Sequence, residues 1–201
     1  AYYLKQHAPE LSGAIVEAQT AGFGASGRNG GWLMGNLLGE DRLLAGLSPQ
    51  QRRESFGLLH GIIDEVQRVT EREGIDCDLR KGGALYCAAR YPEQEASLRS
   101  YLASLYAQGL SEADYHWLSP AQLAQQIRVA RPYGGIFTPH VATLHPARLV
   151  RGLARAVERL GVTIFEQSPV LEWRSGHART ARADVRCRWV VPAVEGYANT
   201  L

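Results

Sequence analysis

Glycine and small polar residues are concentrated between Gly22 and Gly39, in the stretch GFGASGRNGGWLMGNLLG. Small residues let a backbone approach a phosphate closely, so that its N–H groups can bind the anion. Gly22, Gly24 and Gly27 match the G-x-G-x-x-G pattern of dinucleotide-binding sites. Four residues, 18–21, separate this match from the preceding apolar segment, and poor helix formers follow it. We therefore expect that these glycines are not the main phosphate-binding motif, which normally leads straight into a helix.

Glu17 is a second candidate for a ligand-binding residue. It lies at the end of the apolar segment GAIVEA (Gly13 to Ala18), which we predict to be a strand. In dinucleotide-binding folds an acidic residue about 20 positions after the glycine motif binds a ribose hydroxyl. Counting back from Glu17 places that motif before Ala1, with AYYLKQ as the intervening helix. The alternative role for Glu17 is a solvent-exposed carboxylate at a strand end.

Other kinds of catalytic or metal site find little support. The 6 histidines have no metal-ligand spacing, so we assign no metal site. Ser26 does not lie in a G-x-S-x-G nucleophile motif. Cys77, Cys87 and Cys187 form no C-x-x-C pair, which favours a reducing, cytoplasmic location.

The charge balance also restricts the partners. Lys and Arg number 22 and Asp and Glu 20, giving a formal net charge of +2, which argues against nucleic acid as a partner. The arginines between Arg148 and Arg159 lie on the polar side of a predicted amphipathic helix, as expected for a solvated face. No apolar run approaches the ~20 residues of a membrane span.

Turn residues and apolar periodicity predict an alternation of helices and strands. The segment 22–39 is predicted as a loop leading into a short helix. Helices are predicted over 49–74, 92–109, 119–127 and 146–161. Strands are predicted for GAIVEA, GGALYCAA from Gly82, Gly135 to Thr138, VTIFE, PVLEW and VRCRWVVPA, with SGHARTARAD as a connection.

Three blocks of the sequence resemble the FAD-dependent amine and amino-acid oxidoreductases of the D-amino-acid oxidase (DAO) type. The resemblance is closest to the gamma-glutamylputrescine oxidoreductase-like branch. The blocks are GFGASGRNGG (Gly22 to Gly31), the segment from Gly134 to Val170, and RWVVPAVEGYANTL at the end of the chain. Val194 and Pro192 depart from the family pattern, which usually has threonine at the position of Val194.

The resemblance implies FAD as the cofactor and places Glu17 on the adenosine ribose. It places the main chain of Val170 at the adenine, Ala193 at a strand end beside the cofactor, and Trp32 on the substrate side. The residues implied to contact the pyrophosphate, ribityl chain and ring edge are Ala25, Ser26, Gly27, Arg28, Asn29, Gly30 and Gly31. Alternative roles are a surface side chain for Arg28, a turn former for Asn29 and a core residue for Trp32. No catalytic residue can be named.

The fold implied by the resemblance is α/β, an incomplete Rossmann-like FAD/NAD(P)-binding domain with an inserted α+β substrate domain. Residues 1–74 and 143–201 would form the FAD-binding domain and 75–142 part of the substrate-binding domain. We expect the chain to be truncated at both ends.

The resemblance further implies that the intact protein oxidises the C–N bond of a small-molecule amine or amino acid. Hydride would pass to flavin N5 and leave an imine. The alternatives are an NAD(P)-dependent dehydrogenase that uses Gly22, Gly24 and Gly27, and a piece without activity of its own.

Overall fold

The computed structural model describes residues 1–196. Its helices are α1 (Tyr2–His7), α2 (Glu40–Leu44), α3 (Pro49–His60), α4 (Ile62–Glu73), α5 (Glu93–Ala107), α6 (Pro120–Gln126) and α7 (Pro146–Arg159). Its strands are β1 (Ala14–Val16), β2 (Trp32–Met34), β3 (Arg80–Lys81), β4 (Ala84–Ala88), β5 (His116–Leu118), β6 (Gly134–Thr138), β7 (Val141–Thr143), β8 (Thr163–Phe165), β9 (Val170–Arg174), β10 (His177–Thr180) and β11 (Asp184–Arg186).

Local sequence determines where two of the helices begin. Ser48 and Ser119 cap α3 and α6, each accepting a hydrogen bond from the backbone N–H three residues on. Gln51 and Gln122 complete the two capping boxes by accepting from the backbone N–H of the capping serine. A proline follows each serine at the first helical position, where no N–H is needed.

The contacts divide the chain into two units. The first comprises residues 1–30, 73–77 and 146–201 and contains the parallel pair of β1 and β8. It also contains the antiparallel sheet β9-β10-β11. The helices α1 and α7 pack together, and Ala156 and Val157 of α7 are buried. The Tyr2 hydroxyl donates a 2.7 Å hydrogen bond to Glu73 Oε1, which ties residue 73 to α1.

The second unit comprises residues 31–72 and 78–145. It contains two antiparallel sheets, with strand orders β2-β7-β3 and β4-β6-β5. Its core consists of buried apolar side chains from α3, α5 and β6 and from the loop before β5: Phe56, Leu102, Leu105, Leu110, Tyr115 and Ile136. Burial of these residues is the main stabilising contribution expected for the unit.

The α/β class agrees with the sequence prediction, and the strand predicted at 135–138 and the helix predicted over 146–161 correspond to β6 and α7. The predicted strand VTIFE contains β8. This strand pairs in parallel with β1, and Ile15 lies opposite Ile164 in the register. The intervening connection includes α7, whose apolar side is buried as its periodicity predicts.

The prediction of a single helix over 49–74 is wrong in one respect. The structure has two helices there, because α3 ends at His60 and α4 begins at Ile62. Gly61 lies between them. Glycine is a poor helix former, and the Gly61 N–H donates back to the carbonyls of Gly57 and Leu59 in a tight final turn. The apolar spacing continues through the break, so periodicity alone could not reveal it.

The prediction for 22–39 also needs correction. A short 3-10 turn at Ala25–Gly27 and the strand β2 occupy this segment, and the helix α2 begins only after Gly39. β2 pairs with β7, which places Leu33 opposite Ala142. Neither β7 nor β5 was predicted, because such short strands depend on partners that are distant in sequence.

Near the end of the chain, SGHARTARAD is not a plain connection. It contains β10, which pairs on one side with β9 and on the other with β11. The predicted strand VRCRWVVPA is wrong beyond Arg186, where β11 ends. Ala193 therefore lies in irregular backbone, and Pro192 has no N–H to continue a ladder.

The two units do not follow the boundaries predicted from the sequence. Residues 31–72 group with 78–145, because β2 pairs with β7 and Phe56 packs into the core of the second unit. The assignment of one region to FAD and another to substrate stays a prediction. Within residues 1–196, no helix is long and apolar enough to cross a bilayer.

Candidate functional site

Two acidic residues follow the parallel strands of the first unit. Glu17 comes directly after β1, and Glu166 directly after β8. Because β1 and β8 are parallel neighbours, their carboxyl ends lie at the same edge. This edge is where ligands bind in open α/β sheets.

Backbone hydrogen bonds hold Glu17 against the segment that leads into β9. The Glu17 N–H donates to the Phe165 carbonyl at 2.9 Å, and the Ser168 N–H donates to the Glu17 carbonyl at 2.9 Å. The Glu17 side chain accepts from the Gln19 N–H at 2.9 Å through Oε1. The structure thus brings Glu17 close to the segment that contains Val170, the residue predicted at the adenine.

Glu166 connects the same strand end to the start of the glycine-rich loop. Its Oε1 accepts from the Ala21 N–H at 2.8 Å and pairs with Arg151 Nη1 at 2.7 Å. The hydrogen bond from Ala21 and the Arg151 guanidinium hold the pKa of this carboxyl below its ordinary value. Sequence reasoning missed Glu166, although its position at the end of VTIFE is equivalent to that of Glu17 near the end of GAIVEA.

The glycine-rich loop folds tightly on itself between Gly22 and Gly27. Gly22 has a φ of +88°, a conformation that glycine adopts without steric cost. A Cβ at Gly27 would lie 1.9 Å from the Gly22 carbonyl oxygen, so only glycine fits there. The turn packs on α7. No regular helix follows Gly27 directly, which agrees with the expectation that this match is not the usual dinucleotide motif.

The polar groups of the turn have two different roles. Asn29 Nδ2 donates to the carbonyls of Ala25 and Ser26 at 3.2 Å each, so the side chain braces the turn. Within residues 1–196 the structure provides no acceptor for the backbone N–H groups of Ala25 and Ser26. Two adjacent N–H groups of this kind can bind an anion. The guanidinium of Arg28 lies 4.4 Å from the ring centroid of the exposed Phe23.

The remaining predicted site residues are spread over the chain. Gly30 is exposed in the first unit, and Gly31 and Trp32 belong to the second. Trp32 is 67% exposed, which does not agree with the alternative of a core tryptophan. Ala193 is exposed in irregular backbone. The last five residues of the third sequence block, 197–201, lie outside the described residues.

A separate polar cluster lies in the second unit and consists of His60, Asp114 and His140. His140 Nε2 lies 3.0 Å and His60 Nδ1 3.6 Å from Asp114 Oδ1. Sequence spacing gave no signal for this cluster, because its members come from three different elements.

Comparison with known protein families establishes the family of this chain. The sequence matches the family described as FAD dependent oxidoreductase (DAO) over residues 1–201. The chain belongs to the DAO family. The family resemblance seen in the three sequence blocks is therefore confirmed, and FAD is the cofactor on which this family depends.

Two curated proteins resemble this DAO-family chain along most of its length. It is 27% identical over 192 residues to "Probable oxidoreductase OrdL" of Haemophilus influenzae, covering 93% of the chain and 44% of that protein. It is 26% identical over 190 residues to gamma-glutamylputrescine oxidoreductase of Escherichia coli, covering 91% of the chain and 43% of that protein. The chain thus spans less than half the length of either relative.

The fold of this DAO-family chain is similar to that of a solved structure, glycine oxidase from Bacillus cereus. The TM-score is 0.68 at 19% identity, covering 93% of this chain and 49% of that one. This likeness supports the α/β FAD-binding fold.

The first unit suits the cofactor of the DAO family in its residue types. The Glu17 carboxylate retains hydrogen-bonding capacity for a ribose, since a carboxylate has two oxygens with about four acceptor sites. The turn leaves no room for a side chain at Gly27, and the N–H groups of Ala25 and Ser26, which have no acceptor within residues 1–196, are of the kind that bind an anionic pyrophosphate.

Proposed function

We propose that the first unit of this chain binds the adenosine and pyrophosphate portions of FAD. We further propose that the whole protein oxidises the C–N bond of an amine or amino acid to an imine. The observation that carries this proposal is that one unit of a DAO-family chain contains both Glu17 at the end of β1 and the close-packed Gly22–Gly27 turn.

In this proposal the Glu17 carboxylate accepts hydrogen bonds from the adenosine ribose. Its Oε1 already accepts from the Gln19 N–H, which fixes the orientation of the side chain before a ligand binds. Preorganisation of this kind reduces the entropy lost on binding. Val170 would contribute main-chain contacts to the adenine, because hydrogen bonds from Gln167 and Ser168 hold its segment beside residues 17–19.

The small-residue turn would bind the pyrophosphate through backbone N–H groups. Ala25 and Ser26 supply two of these groups, and the Asn29 side chain keeps the turn in shape by donating to their carbonyls. Glu166 positions the start of the loop by accepting from the Ala21 N–H. Arg28 adds positive charge near the same turn, with its guanidinium stacked on Phe23.

The bound flavin would supply the redox chemistry by accepting a hydride from the carbon next to the substrate nitrogen. The role of this chain would be to bind and orient the cofactor. The names of two similar proteins, gamma-glutamylputrescine oxidoreductase and glycine oxidase, support a small amine or amino acid as the substrate class. The three cysteines are thiols rather than disulfides, which supports the further proposal of a reducing, cytoplasmic location.

A cofactor titration tests the proposal. Purified chain is titrated with FAD, with NAD and with NADP, and binding is followed by flavin fluorescence and by the shift in Tm. We expect FAD alone to raise Tm, since a ligand that binds only the folded state stabilises it. Glu17→Gln should weaken FAD binding about tenfold or more, the usual effect of losing a hydrogen bond to a charged group.

Glu10→Gln is the matched control, because Glu10 is an exposed carboxylate outside the predicted site. Protection by NAD or NADP but not FAD would overturn the proposal in favour of a nicotinamide-dependent dehydrogenase. If none of the three cofactors raises Tm, the chain binds no cofactor by itself.

A further inference from the structure

Three side chains with metal-ligating atoms meet in the second unit. His60 is the last residue of α3, Asp114 lies in the loop before β5, and His140 lies between β6 and β7. One ligand atom from each residue lies within 4.8 Å of the other two. None of the three residues belongs to the predicted FAD-binding set.

The distances suit a common bound ion. Ligand atoms about 2.1 Å from a tetrahedral metal ion are about 3.4 Å from one another. The Asp114 Oδ1 lies 3.0 Å from His140 Nε2 and 3.6 Å from His60 Nδ1, values on either side of that spacing. Two imidazoles and one carboxylate are ligands that Zn²⁺ and similar divalent transition metals accept.

The backbone around the cluster is held in place by further contacts. Asp114 Oδ2 accepts from both the N–H and the hydroxyl of Ser111, which leaves Oδ1 directed at the histidines. The His140 N–H donates to Thr138 Oγ1 and its carbonyl accepts from the Gly35 N–H at 3.0 Å. Hydrogen bonds that orient a ligand in this way are typical of metal sites.

Burial and the contacts within the cluster shift the pKa of two of its members. Burial and the neighbouring His140 lower the pKa of His60 to about 4, against the opposing effect of Asp114. Burial opposes ionisation of Asp114, but its hydrogen bonds with Ser111 and His140 hold the pKa of its carboxyl below the ordinary value.

The histidine rings are stacked, with centroids 3.4 Å apart and planes inclined by 10°. The nitrogen lone pairs lie in the ring planes, so two parallel rings direct them side by side. Binding one ion through both rings requires at least one ring to turn toward the other.

The side chains of His60, Asp114 and His140 are 13%, 24% and 22% exposed, so an ion can reach them from solvent.

We propose that His60, Asp114 and His140 form a binding site for one divalent transition-metal ion of the Zn²⁺ type. In a tetrahedral site these three ligands leave the fourth position to water. The ion would fasten α3 to the β6–β7 connection and the Ser111–Tyr115 loop, all within the second unit.

The test uses the full chain after treatment with a chelator and dialysis. Zn²⁺ affinity is measured by competition with a chromophoric chelator, and Co²⁺ is added separately for its visible absorption, which is strong for tetrahedral sites. We expect one equivalent of either ion and a rise in Tm with Zn²⁺ but not with Mg²⁺, which prefers oxygen ligands.

Asp114→Asn and His140→Gln should each weaken Zn²⁺ binding at least tenfold and reduce the Co²⁺ absorption. His116→Gln is the control, because His116 is a half-buried histidine of the same unit that packs on Phe137 outside the cluster. Circular dichroism establishes whether each variant is folded, and the wild-type stoichiometry and Co²⁺ spectrum remain decisive if a variant fails to fold. Wild-type chain that binds no Zn²⁺, or variants that bind it as tightly as wild type, would overturn the assignment.

Discussion

The Glu166 carboxylate accepts a hydrogen bond from the Ala21 backbone N–H at 2.8 Å, although the two residues are 145 positions apart in sequence. This bond joins the end of β8 to the loop that begins after β1. Arg151 of α7 pairs with the same oxygen, Oε1. The beginning of the glycine-rich loop is therefore held by an ionised side chain, and its stability should depend on pH.

We expect Glu166→Gln to lower stability at neutral pH and to remove part of the acid sensitivity. The folded-state pKa of Glu166 lies below its ordinary value of 4.5, so its contribution is present above pH 4.5 and is lost as pH falls through the folded-state pKa. The difference in urea midpoint between wild type and variant should shrink as the pH falls below that value. Glu10→Gln should show no such convergence, and a constant difference for Glu166→Gln would contradict the prediction.

Gly27→Ala and Gly24→Ala form a matched pair within one turn. A Cβ at Gly27 would collide with the backbone of Gly22, whereas a Cβ at Gly24 would meet nothing within 4 Å. Overpacking of this kind costs about 1–3 kcal/mol, so we expect Gly27→Ala to reduce the free energy of unfolding and FAD retention. Gly24→Ala should leave both unchanged. Equal behaviour of the two variants in urea denaturation would show that the turn is not close-packed.

Sequence reasoning identified the elements that local signals determine. The Ser-Pro starts of α3 and α6 carry their own capping groups, and the strands GAIVEA and VTIFE are short apolar runs bounded by turn residues. Glu17 could be singled out because its position depends only on the end of β1. The resemblance to the DAO family supplied the rest of the predicted FAD contacts.

Features that depend on contacts between distant segments could not be predicted. β2 and β7 have three residues each, and they are strands because they pair with one another and β7 also pairs with β3. The cluster of His60, Asp114 and His140 has no sequence motif, since its members are gathered by the packing of α3, the β6–β7 connection and the loop before β5. Glu166 acquires its role only through the parallel pairing of β8 with β1.

Two helical glycines should respond to alanine in opposite ways. Gly57 lies in α3, where an added Cβ would meet nothing within 4 Å, so Gly57→Ala should raise stability by roughly 0.5–1 kcal/mol. Gly152 of α7 is buried, and a Cβ there would lie 2.3 Å from Ile75 Cγ2, so Gly152→Ala should lower stability. Thermal unfolding measures both effects. Ile75→Ala should reduce the cost of Gly152→Ala in a double-mutant cycle, and additive effects would show that the two residues do not interact.

Asn29 offers a test of whether the glycine-rich loop is shaped before a ligand binds. Its Nδ2 donates to the carbonyls of Ala25 and Ser26, so Asn29→Ala should cost about 1 kcal/mol, as for other side chains that cap turns or helices. Asn29→Asp should cost at least as much, because a carboxylate facing two carbonyl oxygens is repelled. Both variants are compared with Asn36→Ala, a change at an exposed asparagine outside the turn, by urea denaturation and FAD titration. Weaker FAD binding with unchanged unfolding free energy would instead assign Asn29 to direct contact with the cofactor.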